Sequence, residues 1–220
     1  MRIFDRLREP VNGITHLAAS VFALGGWVIL VVLGWGDTLK LVVASVFGLS
    51  LTTLFLASGL YHSVVASPLV VQRLRKFDHA AIFLLIAGTY TPITALYLGN
   101  AWRWGLLAVV WIIAAAGIIF KLFVIDAPRW LSTGAYLAMG WMAVFAVPEL
   151  LKSMPPEVVL WMALGGALYT VGAGVYLLEK PNFKPGVFGY HELWHVFVIL
   201  AGASHFLGIA YALNESSGLF

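Results

Sequence analysis

Apolar residues form long blocks along the chain, separated by short segments that hold the charged residues and most of the prolines. A helix needs about 20 apolar residues to cross the hydrocarbon core of a bilayer. Blocks of that length predict membrane-spanning helices over residues 14–35, 40–62, 78–98, 103–124, 130–151, 157–178 and 190–212. The expected fold class is therefore all-α integral membrane, a single seven-helix bundle formed by residues 1–220.

Composition supports this class and excludes several others. Of the 220 residues, 61% are hydrophobic and 10% are charged, against roughly half and a quarter in soluble domains. The absence of cysteine excludes thiolate metal ligands, so any metal must be bound by nitrogen or oxygen. The net charge of +3 is small and gives no nucleic-acid footprint. We therefore expect a multi-pass protein of the cell (inner) membrane, with membrane lipids rather than nucleic acid as partners.

The distribution of lysine and arginine predicts the orientation of the bundle. An odd number of spans places the two termini on opposite sides. The N-terminal tail and the second, fourth and sixth loops carry Arg2, Arg6, Arg8, Arg73, Arg75, Lys76, Lys121, Arg129, Lys180 and Lys184, whereas the other side carries Lys40, Arg103 and Lys152. Short loops rich in these residues stay in the cytoplasm, so the N-terminus is predicted to be cytoplasmic and the C-terminus outside.

Ionisable residues of three predicted spans fall at one depth, near the cytoplasmic face. His62 ends the second span, Asp78 begins the third, and His191 and His195 lie in the first turns of the seventh. Residues four apart on a helix are neighbours, with about 5–6 Å between their Cβ atoms. Ionisable groups are costly inside a membrane and tend to be functional. The spacing therefore indicates a polar cluster inside the bundle.

The chemistry of this cluster suits zinc. Neutral imidazole and carboxylate are zinc ligands, and a catalytic zinc commonly keeps three protein ligands and a water. We predict His62, His191 and His195 as direct ligands. Asp78 would complete the shell or hold and deprotonate the metal-bound water. Ser58, one turn from His62, could hydrogen-bond that water or a developing oxyanion.

The other histidines are weaker candidates for metal ligands. A single intramembrane histidine can equally form an interhelical hydrogen bond. His79 points about 100° away from Asp78 around the helix, which suggests an interfacial or supporting position. His205 follows His195 by ten residues, or about 15 Å, which favours packing or gating. His16 lies near the cytoplasmic start of the first span and could line the same cavity.

The sequence from His191 to His195 also matches the H-E-x-x-H pattern of zinc proteases, in which the glutamate is the general base. Such proteases need a further acidic ligand, and the only acid after Glu192 is Glu215. On a continuous helix Glu215 would lie about 36 Å from His191, at the opposite membrane face. This disfavours a protease and leaves Glu192 as an interfacial or supporting acid.

Taken together, these motifs resemble the bacterial hemolysin III family, which belongs with the progestin and adipoQ receptors, including the adiponectin receptors, and more distantly with alkaline ceramidases. The resemblance covers nearly the whole chain and is carried by Glu9-Pro10-x-Asn12-x-x-Thr15-His16, Ser58-x-x-x-His62, Asp78, Gly88-x-Tyr90-Thr91-Pro92 and His191-Glu192-x-x-His195. It implies a seven-helix bundle with a cytoplasmic N-terminus and a zinc site near the cytoplasmic side.

For function, the resemblance implies a zinc-dependent hydrolase of lipid amide bonds, with a ceramide-like substrate. Two alternatives stay open at the level of sequence. One is a non-catalytic sensor of lipid or membrane state, or a receptor-like protein, with structural zinc. The other is a pore-forming protein, as the hemolysin name suggests. The sequence leaves the oligomeric state undetermined.

Overall fold

The computed structural model of the protein describes residues 7–215, apart from the side chain of Asn100. Arg2 and Arg6, which entered the charge argument, lie outside the described residues. In the described range, seven helical segments are long and apolar enough to cross a membrane. The α-helices are α1 (Pro10–Leu33), α2 (Thr38–Ser63), α3 (Pro68–Tyr97), α4 (Asn100–Phe123), α5 (Arg129–Trp141), α6 (Val147–Ser153), α7 (Pro156–Leu178) and α8 (Tyr190–Glu215).

Six of these segments begin and end within a few residues of the predicted spans. The third differs, because α3 begins at Pro68 rather than at residue 78. Proline is favoured in the first turn of a helix, because the N–H groups of that turn have no acceptor within the helix and proline lacks only a hydrogen bond that would not form. The turns that follow are mostly exposed and carry Arg73 and Lys76. They extend the helix beyond the apolar block, where hydropathy gives no signal.

The fifth span is interrupted rather than continuous. Between α5 and α6 the chain forms a 3-10 segment, Met142–Ala146, one turn before Pro148. Proline cannot donate to the carbonyl four residues earlier and collides with it, which disrupts the α-helical pattern at this point. The Tyr90 hydroxyl of α3 reaches into the break. It accepts from the Ala143 N–H at 2.6 Å and lies 2.7 Å from the carbonyl oxygen of Gly140.

We expect Tyr90→Phe to lower the free energy of unfolding by about 1–3 kcal/mol, because it leaves a buried N–H and a carbonyl without their partner. Thermal or chemical denaturation in detergent would measure this. Tyr169→Phe is the matched control, since the Tyr169 hydroxyl is buried without a hydrogen-bond partner among the described residues. A Tyr169→Phe loss as large as that of Tyr90→Phe would contradict the role assigned to the Tyr90 hydroxyl.

The most buried span is α3, which packs mainly against α2 and α4, while α1 packs against α2 and α8. Two glycines of α7 face α8: a Cβ added to Gly165 would collide with the His205 ring, and one added to Gly172 would lie 2.8 Å from Trp194. At the far end of α8, the buried Lys40 ammonium donates to the Leu213 carbonyl at 3.2 Å. A cation at the carboxyl end of a helix also stabilises its dipole.

Candidate metal centre

Three histidines from two helices meet at the end of the bundle where α1 and α8 begin and α2 ends. We call this end the site face. The ligand atoms of His62, His191 and His195 all lie within 4.8 Å of one another. His62 and His195 are buried and His191 is half-buried. Nδ1 of His195 has no hydrogen-bond partner among the described residues, which fits a nitrogen facing a ligand. The three side chains, here called the histidine trio, could hold a metal ion.

Glu9 fixes the orientation of the first member of the trio. Its Oε2 lies 2.7 Å from Nδ1 of His62. The carboxylate oxygen can only accept, so Nδ1 carries the proton and Nε2 is left with its lone pair for a metal. Burial raises the pKa of Glu9, but the hydrogen bonds that its carboxylate accepts from His62 and Asn12 lower it, so Glu9 is ionised. In the sequence, Glu9 appears only as part of the motif Glu9-Pro10-x-Asn12-x-x-Thr15-His16, so its contact with His62 was missed.

Glu192 is engaged in hydrogen bonds rather than free to act as a base. Its Oε1 accepts from the Asn12 amide at 3.0 Å, and its Oε2 accepts from the Gly189 N–H at 2.7 Å. The second bond caps the start of α8, where helix N–H groups lack partners inside the helix. Both oxygens thus have structural partners. This arrangement agrees with the expectation that Glu192 is a supporting acid and not a protease base.

Asp78 and Ser58 form a second polar group beside the trio. Both side chains are buried and lie next to each other. Nδ1 of His79 lies 3.1 Å from Asp78 Oδ2 and 2.9 Å from the Arg75 carbonyl oxygen. Two acceptors face that nitrogen, so it carries the proton. His79 therefore supports Asp78, and the carboxylate lies outside the group of three atoms close enough to share one ion.

His16 also belongs to this region, which the sequence left open. Its ring stacks on that of His195 with 3.9 Å between centroids, and Phe55 meets its edge at 5.2 Å. Both ring nitrogens are buried and have no hydrogen-bond partner among the described residues. A buried polar group of this kind calls for a ligand or a water, and the His16 ring lies directly against the trio.

His205 lies apart from the trio, as its position ten residues after His195 suggests. It is buried between α8 and α7, with Nε2 at 3.3 Å from the Met162 carbonyl oxygen. The contact with Gly165 places the ring directly on the backbone of α7. His205 is thus a packing residue of this helix pair.

Comparison of the chain with known proteins shows which family it belongs to. The model of the family described as haemolysin-III related matches residues 4–206. The chain belongs to this family. Among haemolysin-III related proteins, Hemolysin-3 of Bacillus cereus is 35% identical over 205 residues, which are 92% of this chain and 90% of that protein. The Hemolysin-3 homolog of Bacillus subtilis (strain 168) is 34% identical over 211 residues, 95% of this chain and 96% of the homolog.

A more distant relative is an animal protein. The human monocyte to macrophage differentiation factor is 26% identical in an alignment 219 residues long that covers 94% of this chain and 85% of that protein. The resemblance expected from the sequence motifs is therefore confirmed. As a haemolysin-III related protein with seven apolar helices, the chain is a multi-pass membrane protein of the cell membrane.

Proposed function

We propose that the protein is a zinc-dependent hydrolase that cleaves the amide bond of a membrane lipid at the site face. The observation that carries this proposal is the histidine trio beside the buried Asp78 and Ser58 pair. Structural zinc sites are closed by four protein ligands, whereas catalytic sites keep one position open. Among the described residues, the group has three members and not four. This count favours catalysis over a closed structural site.

The buried carboxylate supplies the proton transfers. A bound zinc ion would polarise the amide carbonyl and lower the pKa of water toward about 7. Asp78 accepts the proton of the attacking water while the water oxygen bonds to the amide carbon. Asp78 then delivers that proton to the leaving nitrogen as the carbon–nitrogen bond breaks. Ser58 and His79 lie against the Asp78 carboxylate. The single O–H of Ser58 donates either to Asp78 or, in the transition state, to the developing oxyanion.

A lipid substrate is favoured by the surroundings of this pair. A groove of about 380 Å³ runs between α2 and α3 and is lined by apolar side chains that include Leu60, Phe77 and Ala57. Ala57 precedes Ser58 and Phe77 precedes Asp78, so the groove lies at the depth of the catalytic pair. Leu60 and Phe77 are exposed, which opens the groove to the bilayer. We assign it to the acyl chain of the substrate.

The test is lipid hydrolysis by the purified full-length chain in nanodiscs, loaded with zinc. We expect release of the fatty acid from a ceramide with a labelled acyl chain. A zinc chelator should abolish the release, and added zinc should restore it. Phosphatidylcholine with the same acyl chain tests whether cleavage is specific for the amide. No release from ceramide or a related N-acyl lipid by folded, zinc-loaded protein would overturn the proposal.

The same preparation separates the two alternatives. A sensor with structural metal would bind zinc, release no fatty acid and show four protein ligands around the ion. A pore would carry ions across liposomes, and His191→Ala would leave this flux intact. Either result would count against the hydrolase.

A further inference from the structure

The short segment that leads into α1 contacts α2, one of the two helices that carry the histidine trio. At α2, the Glu9 N–H donates to the His62 carbonyl at 2.8 Å, and the Arg8 N–H approaches the Ser63 carbonyl at 3.4 Å. The Arg8 guanidinium lies 4.0 Å above the Tyr61 ring. These contacts satisfy carbonyls at the end of α2, which otherwise lack partners. The segment thus closes the end of the helix that bears His62.

One carboxylate joins this closure to a member of the trio. Glu9 binds Nδ1 of His62 through Oε2 at 2.7 Å, while its own N–H holds the His62 carbonyl. Backbone and ring of His62 are therefore held by the same residue. A histidine fixed at both points cannot rotate its ring without losing the Glu9 contact.

Asn12 extends the connection to α8. Its amide nitrogen lies 3.3 Å from Glu9 Oε2 and 3.0 Å from Glu192 Oε1, and its side chain is almost fully buried. Glu192 lies between the two trio members of α8 and also caps the first turn through Gly189. One buried amide therefore links the carboxylate that holds His62 to the turn that presents His191 and His195.

We propose that Glu9, Asn12 and Glu192 form a clamp that positions the histidine trio across α2 and α8. The clamp rests on the metal site of the proposed function. Glu9 sets the tautomer and angle of the His62 ring, and Asn12 sets the distance between the two ligand-bearing helices. Hydrogen-bond partners of this kind raise ligand basicity and orient the ring, and their loss commonly weakens metal binding about 10- to 100-fold. Glu9, Asn12 and Glu192 are positioning residues and do not touch the metal.

The first measurement is zinc affinity of the full-length protein by chelator competition. We expect Glu9→Ala to weaken binding about 10- to 100-fold. Glu9→Gln should lose less, because its amide oxygen still accepts from Nδ1 of His62. Glu149→Ala is the matched control, since the Glu149 side chain has the same 39% exposure as Glu9 and also pairs with a cation, Lys152.

The second measurement separates positioning from general stability. With cobalt in place of zinc at saturating concentration, the visible spectrum reports ligand geometry. Glu9→Ala should shift this spectrum, Glu9→Gln should restore most of it, and Glu149→Ala should leave it unchanged. A merely structural residue would lower the melting temperature of the metal-free protein without moving the saturated spectrum. If Glu9→Ala does not fold, the zinc affinity and cobalt spectrum of Asn12→Ala are compared with those of Glu9→Gln instead.

Wild-type affinity together with a wild-type cobalt spectrum in Glu9→Ala would overturn the clamp. A wild-type protein that binds no metal would overturn both the clamp and the hydrolase. Metal binding that depends on Glu9 in a protein that releases no fatty acid would support the clamp and reject the hydrolase. Hydrolysis that survives with unchanged metal affinity in Glu9→Ala would reject the clamp alone.

Discussion

Replacing His195 with alanine is expected to leave the protein without its metal. His195 is buried at the centre of the trio, 4.7 Å from the His62 ring and 5.0 Å from the His191 ring between centroids. A four-ligand zinc site is worth about 10–16 kcal/mol, so one ligand contributes about 3 kcal/mol, or more than a hundredfold in affinity. The remaining two histidines would not retain zinc through purification. Elemental analysis of the purified protein measures the zinc content.

His205→Ala is the control for this experiment. His205 is a buried histidine of the same helix, but its ring contacts Met162 and Gly165 and not the trio. We expect one zinc per chain in His205→Ala and less than a tenth of that in His195→Ala. Melting temperatures of the metal-free variants show whether both are folded. Full zinc content in folded His195→Ala would eliminate the trio as the metal site.

Asp78→Asn is expected to retain the metal and lose the reaction. The amide keeps the shape of the carboxylate and can still accept from Ser58, but it cannot accept the proton of the attacking water. Loss of a positioned general base typically costs about 10²- to 10⁴-fold in rate. We expect kcat for ceramide hydrolysis to fall by this factor while zinc content stays at the wild-type value. Initial rates and elemental analysis of the same preparation measure both quantities.

Asp126→Asn is the matched control, because Asp126 pairs with Arg75 at 2.8 Å on the exposed surface and has no contact with the site. Its rate should equal that of the wild type. Two results would contradict the role of Asp78. Full activity of Asp78→Asn would remove it as the base, and loss of zinc in Asp78→Asn would make it a ligand instead.

Hydropathy could predict most of the fold, because the bilayer imposes a length on each span. It missed the first ten residues of α3, since Arg73 and Lys76 extend the helix into water, where no apolar block is required. Hydropathy alone gives no sign of the break in the fifth span, although Pro148 in the sequence indicates a disruption there. What the sequence does not show is the contact of the Tyr90 hydroxyl with Ala143 inside the break, because a contact between two spans leaves no periodic signal in either one.

Depth in the membrane could also be predicted, and it correctly brought His62 close to His191 and His195. The rotation of each helix about its own axis could not be predicted from the sequence. The contact between Asn12 and Glu192 joins residues 180 positions apart and depends on how α1 and α8 are turned toward each other. The sequence therefore assigned Glu9 no role at the site and left the role of His16 open, whereas in the structure Glu9 contacts His62 and His16 stacks on His195. The metal itself and the Asp78 role remain predictions.

The buried lysine at the far end of α8 has a consequence for motion. Lys40 holds the Leu213 carbonyl at one end of this helix, and Asn12 holds Glu192 at the other. Sliding α8 by one residue, about 1.5 Å, would strain both attachments at once, so the helix resists piston movement. In contrast, α5 buries only Thr133 and Met139. Any breathing of the bundle is therefore expected in the sparsely buried fifth span, while α8 stays in place.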